Sequence, residues 1–401
     1  MCCVLGGQIA NSSYREWQVK NNNQYITYNV YLLSMKIIKN SFLLVLFLMV
    51  SSTILFAQKK TKTRNASKAT PCMDVLHLFT AANVPAMAPE EEFAPLINST
   101  ETPPANLPGN GLAQHPMLYV GENCNKMFLI KDGKTIWSYS TGKGPEYDDV
   151  WMLSNGNILF TRMQYIALIT PDKKVLWRYD CNNAKGAEHT EVHACQPIGL
   201  DKVMFVVSGL PPKLMVVNTK TGKVEVEHEL PYIQPANPNN IHPQLRRARV
   251  TAQGTYLVSL LNMGSVVEYD KNFKEIWSYK STKPWAALRL KNGNTLITDE
   301  TDNLTREVNT RGETVWEFNC KNDLPAEYQF RSAPQSCTRL ANGNTIFASR
   351  GQGGKGPQLI EVTRDKKVVW VLQDWKNIGD ATAVQILDDQ GIPEIPGQSE
   401  H

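Results

Sequence analysis

The sequence predicts an all-β protein, a six-bladed β-propeller of four-stranded antiparallel blades in which N-terminal strands complete the last blade. Three observations predict it. A strand ending in tryptophan recurs along the chain, an Asn-Gly turn recurs between apolar strands, and the copies are spaced to hold one set of short strands each.

The tryptophan strands are Gly133-Lys134-Thr135-Ile136-Trp137, Lys173-Lys174-Val175-Leu176-Trp177, Lys274-Glu275-Ile276-Trp277, Gly312-Glu313-Thr314-Val315-Trp316 and Lys366-Lys367-Val368-Val369-Trp370. A further copy, Gly222-Lys223-Val224-Glu225-Val226, lacks the indole. The turns are Asn155-Gly156, Asn292-Gly293 and Asn342-Gly343, each preceded by Leu two residues earlier and followed by Asn. Asn-Gly suits the type I′ hairpin turn, because both residues tolerate positive φ. The tryptophans fall 40 residues apart from 137 to 177, 100 apart across two units to 277, then 39 and 54 apart. A period of roughly 40 to 50 residues built of short strands is the propeller signature, since each sheet hides an apolar face against the next.

The remaining segments follow in order. Residues 1–34 are polar and without pattern, and are expected to lie upstream of a true start at Met35. The basic stretch Met35 to Asn40, the apolar run Ser41 to Phe56 and the small Ala57 read as a secretory signal peptide over 35–57, cleaved after Ala57. A membrane anchor is the alternative, since about 20 apolar residues span a bilayer. The exported chain is expected in the periplasm or outside the cell, touching membrane only through an uncleaved signal. Residues 58–116, rich in Pro, Ala and Asn, are expected as a loosely packed leader or linker. The propeller spans 117–388, with innermost strands near Val150, Cys195, Arg247, Ala287, Cys337 and Val384. The last of these lacks outer partners, so Met117–Val120 and Lys126–Ile130 must complete its blade and remove the exposed edges. A seven-bladed ring needs another blade from residues 58–116. Residues 389–401 form a tail.

A formal charge of +4, from 42 Lys+Arg against 38 Asp+Glu, argues against a nucleic-acid partner, and Arg246-Arg247-x-Arg249 is too short a basic run to reverse that. Beyond the signal lie Cys72, Cys124, Cys181, Cys195, Cys320 and Cys337, an even set in a compartment that permits disulfides, at spacings that match no zinc motif. Cys181 and Cys320 each lie four residues after a repeat tryptophan, and Cys195 and Cys337 each lie ten before a Phe. Two equivalent disulfides or repeat packing both account for this symmetry.

The Gly-Lys-x-x-Trp and Leu-x-Asn-Gly-Asn repeats resemble the pyrroloquinoline-quinone-like propeller superfamily, which includes arylsulfotransferase-like proteins, over residues 117–388. The signal ending Leu-Phe-Ala-Gln resembles those of Bacteroidetes exported proteins. The resemblance implies the fold and leaves the activity open, because one propeller type hosts unrelated functions. Quinone-dependent members carry an adjacent Cys-Cys pair beside the cofactor and have eight blades. Here Cys2-Cys3 precedes the signal, so no quinone or other cofactor is expected.

Loops leading into innermost strands converge on the propeller axis, and here they are rich in reactive side chains. They carry Glu146, Tyr147, Asp148 and Asp149, then Glu188, His189, Glu191 and His193, then His242, Arg246, Arg247 and Arg249. Trp285 and Arg289, then Gln329, Arg331 and Arg339, and finally Asp380 follow. Forked arginines hold a carboxylate or sulfate while an aromatic face stacks on a sugar ring. Asp148, Asp149, Glu191, Arg246, Arg247, Trp285, Arg289 and Arg331 are therefore the expected contacts of an acidic oligosaccharide or polysaccharide. His189, His193 and His242 are the candidate proton-transfer groups of a lyase or glycoside hydrolase. The plainer account is that arginines and carboxylates satisfy one another beside a wet channel. Alternation of His189, Glu191 and His193 along a strand differs from the helical His-Glu-x-x-His arrangement, so no metal is expected. The tryptophan series reads as a structural layer. Three readings result: a binding protein for an acidic carbohydrate, an enzyme acting on uronic-acid glycans, and a protein-interaction scaffold.

Overall fold

The computed structural model describes residues 14–21, 24–31, 70–79, 101–122, 126–141, 146–181, 189–351, 353–399 and 401. The expected signal peptide at 35–57, together with Cys2, Cys3, Cys124 and Glu188, lies outside the described residues. The chain divides into two units, 1–61 and 62–401. In the first, β1 (Tyr14–Asn21) and β2 (Gln24–Tyr31) pair antiparallel, with Tyr14 opposite Tyr31 and Asn21 opposite Gln24. This corrects the reading of residues 1–34 as patternless. Both segments are rich in the aromatic and β-branched residues that suit a pleated strand.

The second unit holds six four-stranded antiparallel sheets. Blade 1 is β6 (Val150–Met152), β7 (Ile158–Arg162), β8 (Tyr165–Ile169) and β9 (Val175–Asp180). Blade 2 is β10 (Glu191–Ile198), β11 (Lys202–Ser208), β12 (Lys213–Asn218) and β13 (Val224–Glu229). Blade 3 is β14 (Leu245–Val250), β15 (Tyr256–Leu260), β16 (Ser265–Tyr269) and β17 (Glu275–Lys280). Blade 4 is β18 (Pro284–Arg289), β19 (Thr295–Asp299), β20 (Leu304–Val308) and β21 (Thr314–Asn319). Blade 5 is β22 (Ser336–Arg339), β23 (Thr345–Ala348), β24 (Leu359–Val362) and β25 (Val368–Leu372). In blade 6, β26 (Ala383–Ile386) pairs with β3 (Met117–Val120), followed by β4 (Lys126–Lys131) and β5 (Lys134–Ser140). The register runs from Ala383 opposite Val120 to Ile386 opposite Met117. The ring is thus closed by the expected seam, with six blades.

The recurrent motifs have local causes. In the Asn-Gly turns only the glycine is left-handed, with φ of 84°, 87° and 90° at Gly156, Gly293 and Gly343. The amide of Gly156 donates to Leu153 O at 2.9 Å and that of Leu153 to Asn157 O at 2.8 Å. This is a type I turn closed by a left-handed glycine, not the expected type I′. The asparagine serves through its side chain: Oδ1 of Asn155, Asn292 and Asn342 accepts from the amide two residues on, at 3.0, 2.9 and 2.9 Å. The Gly-Lys turn likewise marks a left-handed position, held by Gly133, Gly222 and Gly312 and elsewhere by Lys173, Phe273 and Lys366.

Three of the tryptophans brace their blade against the next segment, a neighbouring blade for Trp137 and Trp316 and the turn ahead of β3 for Trp370. Trp137, Trp316 and Trp370 donate from Nε1 to the carbonyls of Pro171, Arg364 and Gly111 at 2.9, 2.8 and 2.9 Å. A glutamate on the third strand adds an ionic brace beside them. Glu268 pairs with Arg289 over Trp277, Glu307 with Arg339 over Trp316, and Glu361 with His115 against Trp370.

Part of the leader is core rather than loose covering. Pro71 opens a short helix (Pro71–Asp74), which leads into a 3-10 turn (Leu76–Phe79). These place Cys72, Leu76 and Phe79 in one buried apolar cluster with Trp137, the Phe79 and Trp137 rings meeting edge-on at 5.6 Å. Cys72, Cys181, Cys195, Cys320 and Cys337 are all buried and free, which removes the disulfide alternative for these five and leaves repeat packing.

Candidate functional site

Two polar layers lie where the loops of blades 1 to 3 meet the axis. In the deeper layer Asp149, fully buried, accepts from Arg247 Nη1 at 2.6 Å, from Arg249 Nη1 and Nη2 at 2.8 and 3.2 Å, and from the amides of Val150 and Cys195 at 3.2 Å. Arg247 and Arg249 alternate along β14 and so share a face. Arg247 Nη2 also donates to the carbonyls of Asp148 and Thr382, at 2.9 and 3.1 Å. Burial alone would raise the Asp149 carboxyl, and the two guanidiniums outweigh it, holding the group below its ordinary value. Residues 389–401, expected as a plain tail, contribute here: Arg249 Nε donates to His401 O at 2.8 Å, and His401 Nε2 lies 3.0 Å from Val150 O. Burial lowers His401 to about 4. Asp149 and Arg247, expected as ligand contacts, are committed to this framework.

The outer layer is organised by Glu191. Its Oε2 lies 3.0 Å from His193 Nε2 and 2.7 Å from His242 Nδ1, and its Oε1 lies 2.7 Å from His189 Nε2. His193 Nδ1 is 3.2 Å from Asp148 Oδ2 and 3.8 Å from Glu146 Oε1. A register shift between Val192 and Ala194 sits at the start of β10, and bulges of this kind re-aim side chains. The three candidate histidines therefore do converge, on one carboxylate. His193 is buried, while His189 and His242 keep 34% and 45% of their side chains exposed, so the cluster opens to solvent on their side.

The charges shape this layer. Burial pulls Glu191 upward, and hydrogen bonds from His193 and His242 overcome it, leaving the carboxyl far below its ordinary value. Burial would lower His193, but Asp148 and Glu191 raise it to about 9. Glu146 is pushed up to about 8 by burial and by the negative charges of Asp148 and Glu122. Arg246 is buried beside these groups, yet its Nη1 donates to the main-chain oxygens of His242 and Leu245, and its guanidinium lies 4.5 Å from the centre of the Trp285 ring. Trp285 itself is buried under that guanidinium, so the expected stacking face is already covered.

Two expected contacts lie elsewhere. Arg289 closes β18 at the end away from the channel mouth and belongs to the Glu268 brace, as Arg339 belongs to that of Glu307. Arg331 is half-exposed and pairs with Glu101 at 3.6 Å. Glu122 and Arg350 were missed. Glu122, buried just beyond β3, accepts from Gln335 Nε2 at 2.6 Å and from Arg350 Nη1 at 3.0 Å. Both follow the second strand of a blade. In an antiparallel sheet that strand ends beside the start of the innermost one, so the loops after second strands line the same mouth.

Comparison with known proteins agrees with the ring of blades. Among solved structures, a protein of unknown function from Bacteroides caccae is 25% identical, with a TM-score of 0.58 over 67% of this chain and 97% of that chain. A streptogramin B lyase is 13% identical, with a TM-score of 0.48 over 71% of this chain and 89% of that one. A catalytically inactive virginiamycin B lyase from Staphylococcus aureus with quinupristin is 15% identical, with a TM-score of 0.47 over 71% and 97%. No curated protein matches the chain. The family model described as outer membrane protein assembly factor BamB matches residues 126–390, almost the whole ring, and the chain therefore belongs to this PQQ_2 family of PQQ-like β-propellers.

Proposed function

We propose that this propeller is exported to the periplasm or the cell surface and binds an extracellular acidic carbohydrate at the channel mouth of blades 1 to 3. The observation that carries the reading is the convergence on one mouth of donors and acceptors from several blades. His189 and His242 reach solvent there beside a buried Glu191, and Arg350, from blade 5, reaches solvent beside Glu122. Sugar hydroxyls both donate and accept, and a uronate carboxylate needs cationic donors, so a mixed rim of this kind serves both. The Asp149 layer beneath, with its guanidiniums already paired, forms the floor.

The test is calorimetric titration of residues 58–401 with uronate-containing and neutral glycans, using wild type, His242→Ala and Arg350→Ala. Binding of a uronate glycan that weakens at least tenfold in both variants is expected. Failure of every glycan to bind overturns the reading. Unsaturated-uronate absorbance or new reducing ends from wild type, abolished in His193→Ala, make the protein a lyase or a hydrolase. The family description favours a second reading, an assembly scaffold, in which partner binding resides on the propeller rim and survives both substitutions.

A further inference from the structure

We propose that Glu146, His193 and His242 form a divalent-cation site at the channel mouth, with Glu191 as the carboxylate that positions both imidazoles. Each of the three residues comes from a different blade, and their ligating atoms all lie within 4.8 Å of one another. Ligands held about 2.0–2.2 Å from a zinc-like centre are themselves about 3–4 Å apart, so small side-chain movements close this set around an ion. The histidine rings stand edge to face at 82°, with centroids 5.0 Å apart.

Glu191 supplies the orienting contact such sites use. Its Oε2 engages Nε2 of His193 and Nδ1 of His242 together, so an ion meets the opposite nitrogens, His242 Nε2 and His193 Nδ1, the latter giving up the hydrogen bond it makes with Asp148 Oδ2. Metal-bound histidines characteristically give their other ring N–H to a carboxylate in this way. On the Nδ1 side of His193 lie Asp148 Oδ2 at 3.2 Å and Glu146 Oε1 at 3.8 Å, so oxygen donors stand where a cation bound to that nitrogen needs them.

The charge balance separates this cluster from the ionic layer below. There one carboxylate, Asp149, meets two arginines. Here Glu146, Asp148 and Glu191 face Arg246, whose Nη1 hydrogen bonds go to main-chain oxygens, while Glu122 is matched by Arg350. A divalent ion binding here displaces the protons that His193 and Glu146 hold without it. Partial exposure of His242 and Glu146 leaves an open side for water or a ligand atom, as in catalytic rather than structural metal sites. Two imidazoles with carboxylate oxygens select a transition-series ion such as Zn²⁺ or Mn²⁺ over Ca²⁺ or Mg²⁺. The site shares His242 and Glu191 with the carbohydrate reading but is argued from its own geometry, so either can fail while the other stands.

The test uses the full chain stripped with a chelator and titrated with Zn²⁺, Mn²⁺ and, for its visible spectrum, Co²⁺. One ion per chain by elemental analysis is expected. Glu146→Gln and His242→Ala, the latter a half-exposed side chain whose loss leaves the fold intact, should each weaken binding at least a hundredfold. Glu191→Gln should weaken it about 10–100-fold and shift the Co²⁺ bands, as loss of an orienting carboxylate does. His228→Gln, a blade 2 histidine stacked on Phe273, should change neither. Absence of a bound ion in wild type, or affinity that survives both Glu146→Gln and His242→Ala, overturns the proposal. Glycan titration of the stripped protein and of the reloaded protein tests the carbohydrate reading separately.

Discussion

Replacing Asp149 by Asn tests whether the deep ionic layer holds the ring together. Asp149 is fully buried and takes hydrogen bonds from both Arg247 and Arg249. The amide keeps the shape but removes the charge, and turns an N–H₂ toward a guanidinium. Two unit charges about 4 Å apart at an effective dielectric near 20 attract by about 4 kcal/mol. Breaking a buried pair by removing one partner costs about 3–5 kcal/mol. With two arginines left uncompensated, a loss of about 4 kcal/mol is expected, and for a domain of this size that lowers Tm by about 8 °C. Thermal and urea unfolding of wild type and Asp149→Asn measure it. The arginines hold the Asp149 carboxyl below its ordinary value of 3.8. Its contribution is therefore present above 3.8 and is lost as pH falls through the folded value, so the gap between wild type and variant must close under acid conditions. A gap below about 1 kcal/mol near neutrality, or one that persists unchanged into acid, refutes the reasoning.

Three further outcomes are expected. His115 lies 2.9 Å from Glu361 and 3.6 Å from Asp388. Burial opposes its charge, but the carboxylates raise it from 6.5 to about 9. That stabilisation is full below 6.5 and disappears as pH rises through about 9, so wild type should lose Tm across this window while His115→Gln stays flatter. At the seam of the ring, a Cβ on Gly121 would stand 1.9 Å from the main-chain oxygen of Asp380. Gly121→Ala should cost about 1–3 kcal/mol in urea unfolding, as overpacking does. Burial pushes the thiols of Cys72, Cys181 and Cys337 up to about 12, and raises Cys195 and Cys320 as well. Native alkylation should label none of these five, and reductant should leave Tm unchanged.

Much of the fold was legible because its instructions are local. A left-handed turn residue, an Asn that caps its own turn and a Trp within the fourth strand each act within a few residues of sequence, and their repetition counts the blades. Closure was legible because the last innermost strand had no outer partners. The conformation of the Asn-Gly turn was misread, since Asn-Gly is compatible with more than one hairpin geometry and the glycine alone occupies the left-handed region. Packing of Phe79 against Trp137 was hidden in a Pro-rich stretch whose composition resembles a linker.

For the site, the sequence by itself pointed to the loops that enter the innermost strands of blades 1 to 3, because those strands start at the axis, but it placed Arg289 and Arg331 there as well and passed over Glu122 and Arg350. It could not say which charges neutralise which. Arg246, Arg247, Arg289 and Arg331 looked equivalent as anion contacts, yet the first lies over Trp285, the second pairs with Asp149, the third with Glu268 and the fourth with Glu101. Only the tertiary structure decided that Glu191 gathers three histidines while Asp149 takes two arginines. Such pairings depend on the height of each side chain along the channel and on what the neighbouring blades place opposite it, and Coulomb attraction in a buried channel is set by those distances rather than by sequence separation.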